Sequence, residues 1–314
     1  MFFVLSISGC QTEKPGNTKS DEPIENVSIT SQEMSGIKTI TSLKKYNDKL
    51  YLTYQPSPVM EDEGEKIPPF MLAEYDQGKI KEVAQTQYYQ GRIYDFVVEG
   101  NLMVYSDFDP YAMTWDIVIL NLQTSKKESP IKVKDTMPSF YFHDNEIDYY
   151  QKNQLMKYNI KDQKSIVIEK FDFDEISLTG QNGILTWQDN QVYYIYDGQL
   201  KEIKTDSEIL SSPQIDQSHL YSLERDREGA ICLAVYDIET GTCQKTLMYA
   251  DSIYVLKDYI VTLSGRLLTT YDKVTLEKND DYTVYNVDHI FVADEKECLL
   301  IIDENKYTSL TFDK

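Results

Sequence analysis

The chain has 314 residues and a formal net charge of −21, with 52 acidic residues against 31 Lys and Arg. Hydrophobic residues make up 41%, enough for a packed core and too many for wholesale disorder. A surface this acidic repels phosphate backbones, so nucleic acid is excluded as an expected partner. There is room for one large β domain or two ordinary domains. Tyr occurs 25 times and Ala only seven times. Tyr suits strands and Ala is the best helix former, so the balance predicts an all-β chain.

The N-terminus reads MFFVLSISGCQTEKPGNTKSDEP. Ile7-Ser8-Gly9-Cys10 resembles the lipobox of bacterial lipoproteins, a branched apolar residue and two small residues before Cys. That resemblance implies a diacylglycerol thioether on Cys10 and cleavage just before it. The nine preceding residues contain no Lys or Arg, whereas a signal peptide usually has about 15–30 residues and a basic start. The expected organisation is a partial signal segment at 1–9, a lipidated Cys10 with a polar disordered tether at 10–34, and a folded unit at 35–314. Asn26 to Thr30 (NVSIT) could belong to the tether, or residues 26–33 could form an outer clasp strand. No run of about 18 apolar residues occurs, so lipid and not a spanning helix is the expected anchor. The expected location is the extracytoplasmic face of the cell membrane, with the protein a monomer.

A polar hairpin recurs along the rest of the chain. Aligned on a Tyr-Asp-like step, its copies are LAEYDQGKIKEV (Asp76), IVILNLQTSKKES (Asn121), LMKYNIKDQKSIVI (Asn159), VYYIYDGQLKEI (Asp197), LAVYDIETGTCQKTL (Asp237), LLTTYDKVTLEK (Asp272) and LLIIDENKYTSLTF (Asp303). A second marker, a polar turn entering an apolar strand, precedes each copy, from YNDKLYLTY to NVDHIFVAD. Each unit therefore reads as four strands, and repetition near 40 residues predicts a seven-bladed β-propeller with four-stranded antiparallel blades. The Asp or Asn can accept a hydrogen bond from the backbone two residues on and close the turn locally. The last unit is expected to hold its own four strands, Tyr282 to Phe312. A sandwich or other β array is the competing architecture.

The pattern resembles the bacterial propellers that include TolB-like, quinoprotein-like and WD-repeat-like domains, over residues 35 to 314. It lacks the Trp-Asp and Gly-His steps of WD repeats and the Ser-x-Asp-x-Gly-x-x-Trp box of sialidases. Only Trp115 and Trp187 are present, so no Trp-rich repeat cradles a quinone, and no cofactor is expected. Cys232, Cys243 and Cys298 read as free, mostly buried thiols. Cys243 falls opposite Tyr236, about 13 Å along the strand from Cys232, too far for a disulfide.

In propellers, the turns between second and third strands share one end with the loops joining blades. Two such turns read as long, QPSPVMEDEGEKIPPF (Gln55 to Phe70) and DFDPYAMTW (Asp107 to Trp115), with the inter-blade loop QTQYYQG (Gln85 to Gly91) between them. Tyr88, Tyr89, Phe108, Tyr111 and Trp115 are the candidate aromatic binding wall. All four Arg residues, Arg92, Arg225, Arg227 and Arg266, fall in loops of that end and could receive an anionic group. Arg225 could instead pair with Asp226 or Glu224. Asp107, Asp109 and Asp116, or Asp172 and Asp174, could hold a cation, but surface turns with Asp as turn former are the favoured reading, and no metal site is expected. His143, His219 and His289 are read at first-to-second turns of the opposite end and do not converge.

No nucleophile elbow, phosphate loop or dinucleotide fingerprint occurs. The expected function is a membrane-anchored propeller that binds a protein, peptide or glycan, or acts as a scaffold. The alternative is a lyase or hydrolase using carboxylates in the central funnel. A two-lobed solute-binding lipoprotein is disfavoured for want of alternating helices.

Overall fold

The structure, a computed structural model, describes residues 27–312 apart from 62–63, 77, 135–138, 171–184, 189, 197–198, 206, 217, 286, 293–295 and 303. All regular elements among the described residues are strands, and no helix is long and apolar enough to cross a membrane.

The first blade orders Ile37–Tyr46, Lys49–Pro56, Met71–Asp76 and Lys79–Gln85 from the axis outward. The second blade is Arg92–Glu99, Leu102–Asp109, Thr114–Asn121 and Lys127–Lys134. The third is Phe140–His143, Glu146–Gln151, Gln154–Asn159 and Lys164–Lys170. A three-stranded sheet follows, Leu185–Gln188, Gln191–Tyr196 and Gln199–Lys204. In the fourth blade the inner strand is split into Glu208–Ile209 and Gln214–Ile215, both paired with His219–Arg225; Ile231–Asp237 and Cys243–Leu247 complete it. The fifth blade is Ser252–Val255, Tyr259–Ser264, Leu267–Asp272 and Lys278–Thr283.

Six sheets thus have at least four strands, where seven were expected. The inner strand that the repeat assigns to the remaining unit falls in 171–184, outside the described residues.

The closing blade corrects a second expectation. Val287–Val292, Glu297–Ile302 and Lys306–Phe312 supply only three strands, and Val27–Glu33 adds the outermost one, running from Val27 opposite Phe312 to Glu33 opposite Lys306. Tyr282 belongs to the fifth blade. The Asp303 copy therefore joins second and third strands, and His289 lies in an inner strand and not at a turn. Alternating apolar residues mark any antiparallel hairpin, so the pattern alone does not fix which pair of strands a copy joins.

Radial packing explains why both faces of a blade are apolar. Along Thr114–Asn121, Ile117 and Ile119 pack with Phe140 and Phe142 of the third blade. Val118 and Leu120, on the opposite face, pack with Leu72 and Ala84 of the first. Period-two alternation thus divides one strand between two cores.

The repeated Asp/Asn hairpin has one geometry at four blades. Oδ1 of Asn121, Asn159, Asp237 and Asp272 accepts from the backbone N–H groups two and three residues on, at 2.7–3.0 Å. The residue four on, Ser125, Gln163, Gly241 or Leu276, takes positive φ and donates its N–H back to the Asp or Asn carbonyl. The side chain thereby satisfies donors that the turn leaves outside the ladder.

Candidate functional site

Strand direction separates two ends. The rim end carries the second-to-third turns and the links between blades; the far end carries the other turns. The strand Val27–Glu33 begins at the far end and finishes at the rim.

At the rim the first blade's long turn holds a small hairpin, Val59–Glu61 with Gly64–Lys66. The second expected long loop is shorter than the sequence suggested. Asp109 pairs with Thr114, so DFDPYAMTW is largely strand around a four-residue turn. Asp109 Oδ1 caps that turn, accepting from the N–H of Tyr111 at 3.0 Å and Ala112 at 3.2 Å.

The inter-blade loop is fastened to two buried carboxylates. Asp107 accepts from Thr86 Oγ1 at 2.5 Å and from the Gln87 N–H at 2.9 Å. Burial pushes its carboxyl pKa up, against the pull of these hydrogen bonds. Asp116 accepts from Tyr88 Oη at 2.5 Å and Gln87 Nε2 at 2.9 Å, and lies 3.3 Å from Lys132 Nζ. Burial, then Asp116, hold the Tyr88 phenol far above its ordinary pKa. All three Asp residues of this region therefore serve the loop and its turn. Among the described residues, no group of three His, Cys, Asp or Glu is placed to hold a metal ion; Asp172 and Asp174 lie outside them.

The aromatic wall divides into two layers. Phe108 stacks on Trp115 with centroids 4.4 Å apart, and Trp115 is only 7% exposed. Above them Tyr89 and Tyr111 stack at 6.2 Å, 76% and 70% exposed. Tyr88 is withdrawn by its bond to Asp116, so Tyr89 and Tyr111 form the presented surface.

The four Arg residues share an end but not a site. Arg92 lies over Phe70 at 5.5 Å, beside the second blade's wall. Arg225 and Arg227 are on the fourth blade and Arg266 is on the fifth. Arg225 pairs with Glu208 at 3.0 Å and with neither of the partners considered from sequence. Arg266 lies 5.5 Å over the exposed Tyr285; Leu247, Tyr249 and Leu267, at the same end of the fourth and fifth blades, are exposed too, and the sequence reading did not single them out.

Gly91 is the hinge of the inter-blade loop. A Cβ there would sit 2.5 Å from Thr86 Oγ1 and 2.6 Å from the Phe108 carbonyl oxygen. Since the carbonyl cannot move without the strand, Gly91→Ala should cost about 1–3 kcal/mol. A thermal melt several degrees below wild type is the expected reading, at about 2–4 °C per kcal/mol.

The far end holds a site that sequence reasoning missed. A cavity of about 710 Å³ is bounded by inner strands of all six blades, including Lys44, Asp95, Glu99, His143, Gln214 and Tyr254. Lys44 pairs with Asp95 at 2.7 Å. His143 Nε2 lies 2.8 Å from Asp148, which is buried, and the imidazole stacks on Tyr141 at 4.8 Å. The hydrogen bond to Asp148 raises the His143 pKa, with smaller support from Glu146 and opposition from burial and Lys157; Asp144 Oδ2 is 3.9 Å from Nδ1. The sign follows directly. A raised folded pKa means stabilisation present below pH of about 6.5 and lost as pH rises through the folded value. NMR titration should place His143 above 6.5, and Asp148→Asn should bring it down.

Cys243 faces Tyr236 across the hairpin as expected; Cys232 and Cys298 are buried and Cys243 is exposed, and none of the three is in a disulfide. Cys10 lies outside the described residues.

No protein-family profile matches the chain, and no curated protein matches it. Solved structures do. Virginiamycin B lyase from Staphylococcus aureus superposes with TM-score 0.64 at 11% identity, over 91% of this chain and 99% of the other. BamB from Moraxella catarrhalis gives 0.51 at 9%, over 91% and 98%. PorZ, a surface component of the type-IX secretion system of Porphyromonas gingivalis, gives 0.54 at 10%, over 90% of this chain and 39% of that one. At these identities the likeness establishes the fold alone. The chain is a β-propeller with four-stranded antiparallel blades.

Proposed function

We propose that the chain is a binding propeller, lipid-anchored through Cys10 outside the cytoplasm, whose working surface is the rim end and whose partner is a protein or peptide. One observation carries the reading. Of the twelve large hydrophobic side chains exposed among the described residues, nine lie at the rim end, in the first two blades and around Tyr249 and Tyr285. One, Val274, is at the far end, and two are on an outer strand. Exposed apolar surface gathered on one end is what a recognition face requires. The tether would enter at Val27, on the far end, leaving the rim turned away from an anchoring membrane. We also read the three-stranded sheet as a seventh blade.

The test is photo-crosslinking in the native host from Tyr89, Tyr249 and Val274. Adducts to a common partner from the two rim positions, and none from Val274, are expected; equal labelling at Val274 would overturn the assignment. Mass spectrometry of membrane-extracted protein should find Cys10 acylated, and an unmodified Cys10 would remove the anchor.

A further inference from the structure

We propose that the far-end cavity is a binding site for an organic cation, an amine or guanidinium group, held by the Glu99 carboxylate within aromatic walls. The inference is independent of the rim.

The carboxylates around this cavity are not equivalent. Asp95 has Lys44, Asp148 has His143 and Glu146 has Lys157 at 2.5 Å. Glu99 lines the cavity with Lys44 and His143, whose ion pairs go to Asp95 and Asp148, and among the described residues no ion pair reaches Glu99 itself. Its Oε1 accepts the Asp144 N–H at 3.2 Å, while its Oε2 is buried without any hydrogen-bond partner. A buried carboxylate oxygen without a donor is costly, and a charged donor is its strongest complement.

The surrounding chemistry selects the kind of cation. Tyr46, Tyr141, Tyr254 and Phe291 line the same space, and aromatic faces attract ammonium and guanidinium groups once water is excluded. A metal ion needs several converging ligands, and the described residues offer no such group here. The volume, about 710 Å³, falls among small-molecule sites of roughly 300–1,000 Å³. A chain with net charge −21 also raises the local concentration of cations.

The test is calorimetric titration of the full chain with arginine amide, spermidine and tetramethylammonium in sodium chloride near physiological strength. Saturable binding of at least one is expected, weakened tenfold or more by Glu99→Gln, which keeps shape and hydrogen bonding but removes charge. Tyr141→Leu should weaken it too, and Glu277→Gln, at a surface turn, should leave it unchanged. Binding equal in wild type and Glu99→Gln would mean diffuse attraction to the acidic surface and overturn the site. Absence of binding by all three probes would overturn it as well, leaving water as the partner of Glu99.

Discussion

Deletion of residues 26–33 should lower the melting temperature by about 10 °C, the equivalent of ~3–4 kcal/mol in a domain of this size. Those residues contribute seven backbone pairs to Lys306–Phe312. They also bring Ser31 Oγ within 2.7 Å of Thr308 Oγ1 and let Gln32 accept from Tyr307 at 3.2 Å. Net hydrogen-bond contributions of about 0.5–1.5 kcal/mol each, reduced by the entropy of ordering the strand, leave a few kcal/mol. Location adds to number. The strand joins the last blade to the first in one covalent path; without it the seam is left with packing and a few polar contacts, such as the Ile40 N–H to the Glu304 carbonyl at 2.7 Å and Lys45 to Glu297 at 2.7 Å, and the last blade presents an unpaired edge. Met34→Ala, at the end of the strand, separates pairing from packing. Met34 is 2% exposed and sits in the core shared by the first and closing blades, where truncation costs about 2–5 kcal/mol. Calorimetric melts of both variants decide the matter; a deletion that melts with wild type would show that the strand closes nothing.

What the sequence revealed, and what it hid, divides by the range of the interaction. The hairpins at Asn121, Asn159, Asp237 and Asp272 were readable because the side chain closes its own turn within four residues. The common end of Tyr89, Tyr111 and Trp115 was readable because strand parity alone assigns it. The phase of the last copy was not, since the missing outer strand is supplied from residues more than 270 positions away. The length of the Asp107 to Trp115 loop was overestimated, because a strand running beyond the sheet and a polar loop look alike in DFDPYAMTW. His143 and Asp148 could have been paired from HDNEID, as residues on one face of a two-residue hairpin. The place of His143 in one cavity with Glu99 and Tyr254 depends on how the blades come together around the axis, which no local pattern encodes. Nor does a local pattern say that Arg225 and Arg266 stand across the ring from Arg92.

Lys245→Met should destabilise the protein by about 3 kcal/mol, and the reason lies in one fully buried carboxylate. Glu224 is 0% exposed, on the same face of its strand as Leu220 and packed toward the three-stranded sheet. Lys245 Nζ meets its Oε2 at 2.8 Å and Tyr236 Oη donates to its Oε1 at 2.6 Å. Small Ser222 and Ala234, paired across the strands, leave the space through which the tyrosine reaches. Burial, then the Glu224 hydrogen bond, drive the Tyr236 phenol pKa well above its usual value, so it remains a donor at any working pH. Removing one partner of a buried ion pair costs about 3–5 kcal/mol, because the remaining charge is stranded. The lower part of that range applies here, since the Lys245 side chain is 38% exposed and solvent screens it. Tyr236→Phe should cost about 1–3 kcal/mol by leaving one oxygen without a donor. Replacing both charges, Glu224→Leu with Lys245→Met, should recover most of the loss, as apolar replacement of a buried pair often does. Urea denaturation of wild type, Glu224→Leu, Lys245→Met and the double variant gives the coupling of the pair directly. A Lys245→Met midpoint equal to wild type would mean that Tyr236 alone satisfies Glu224, and a double variant weaker than either single one would mean that the site cannot repack.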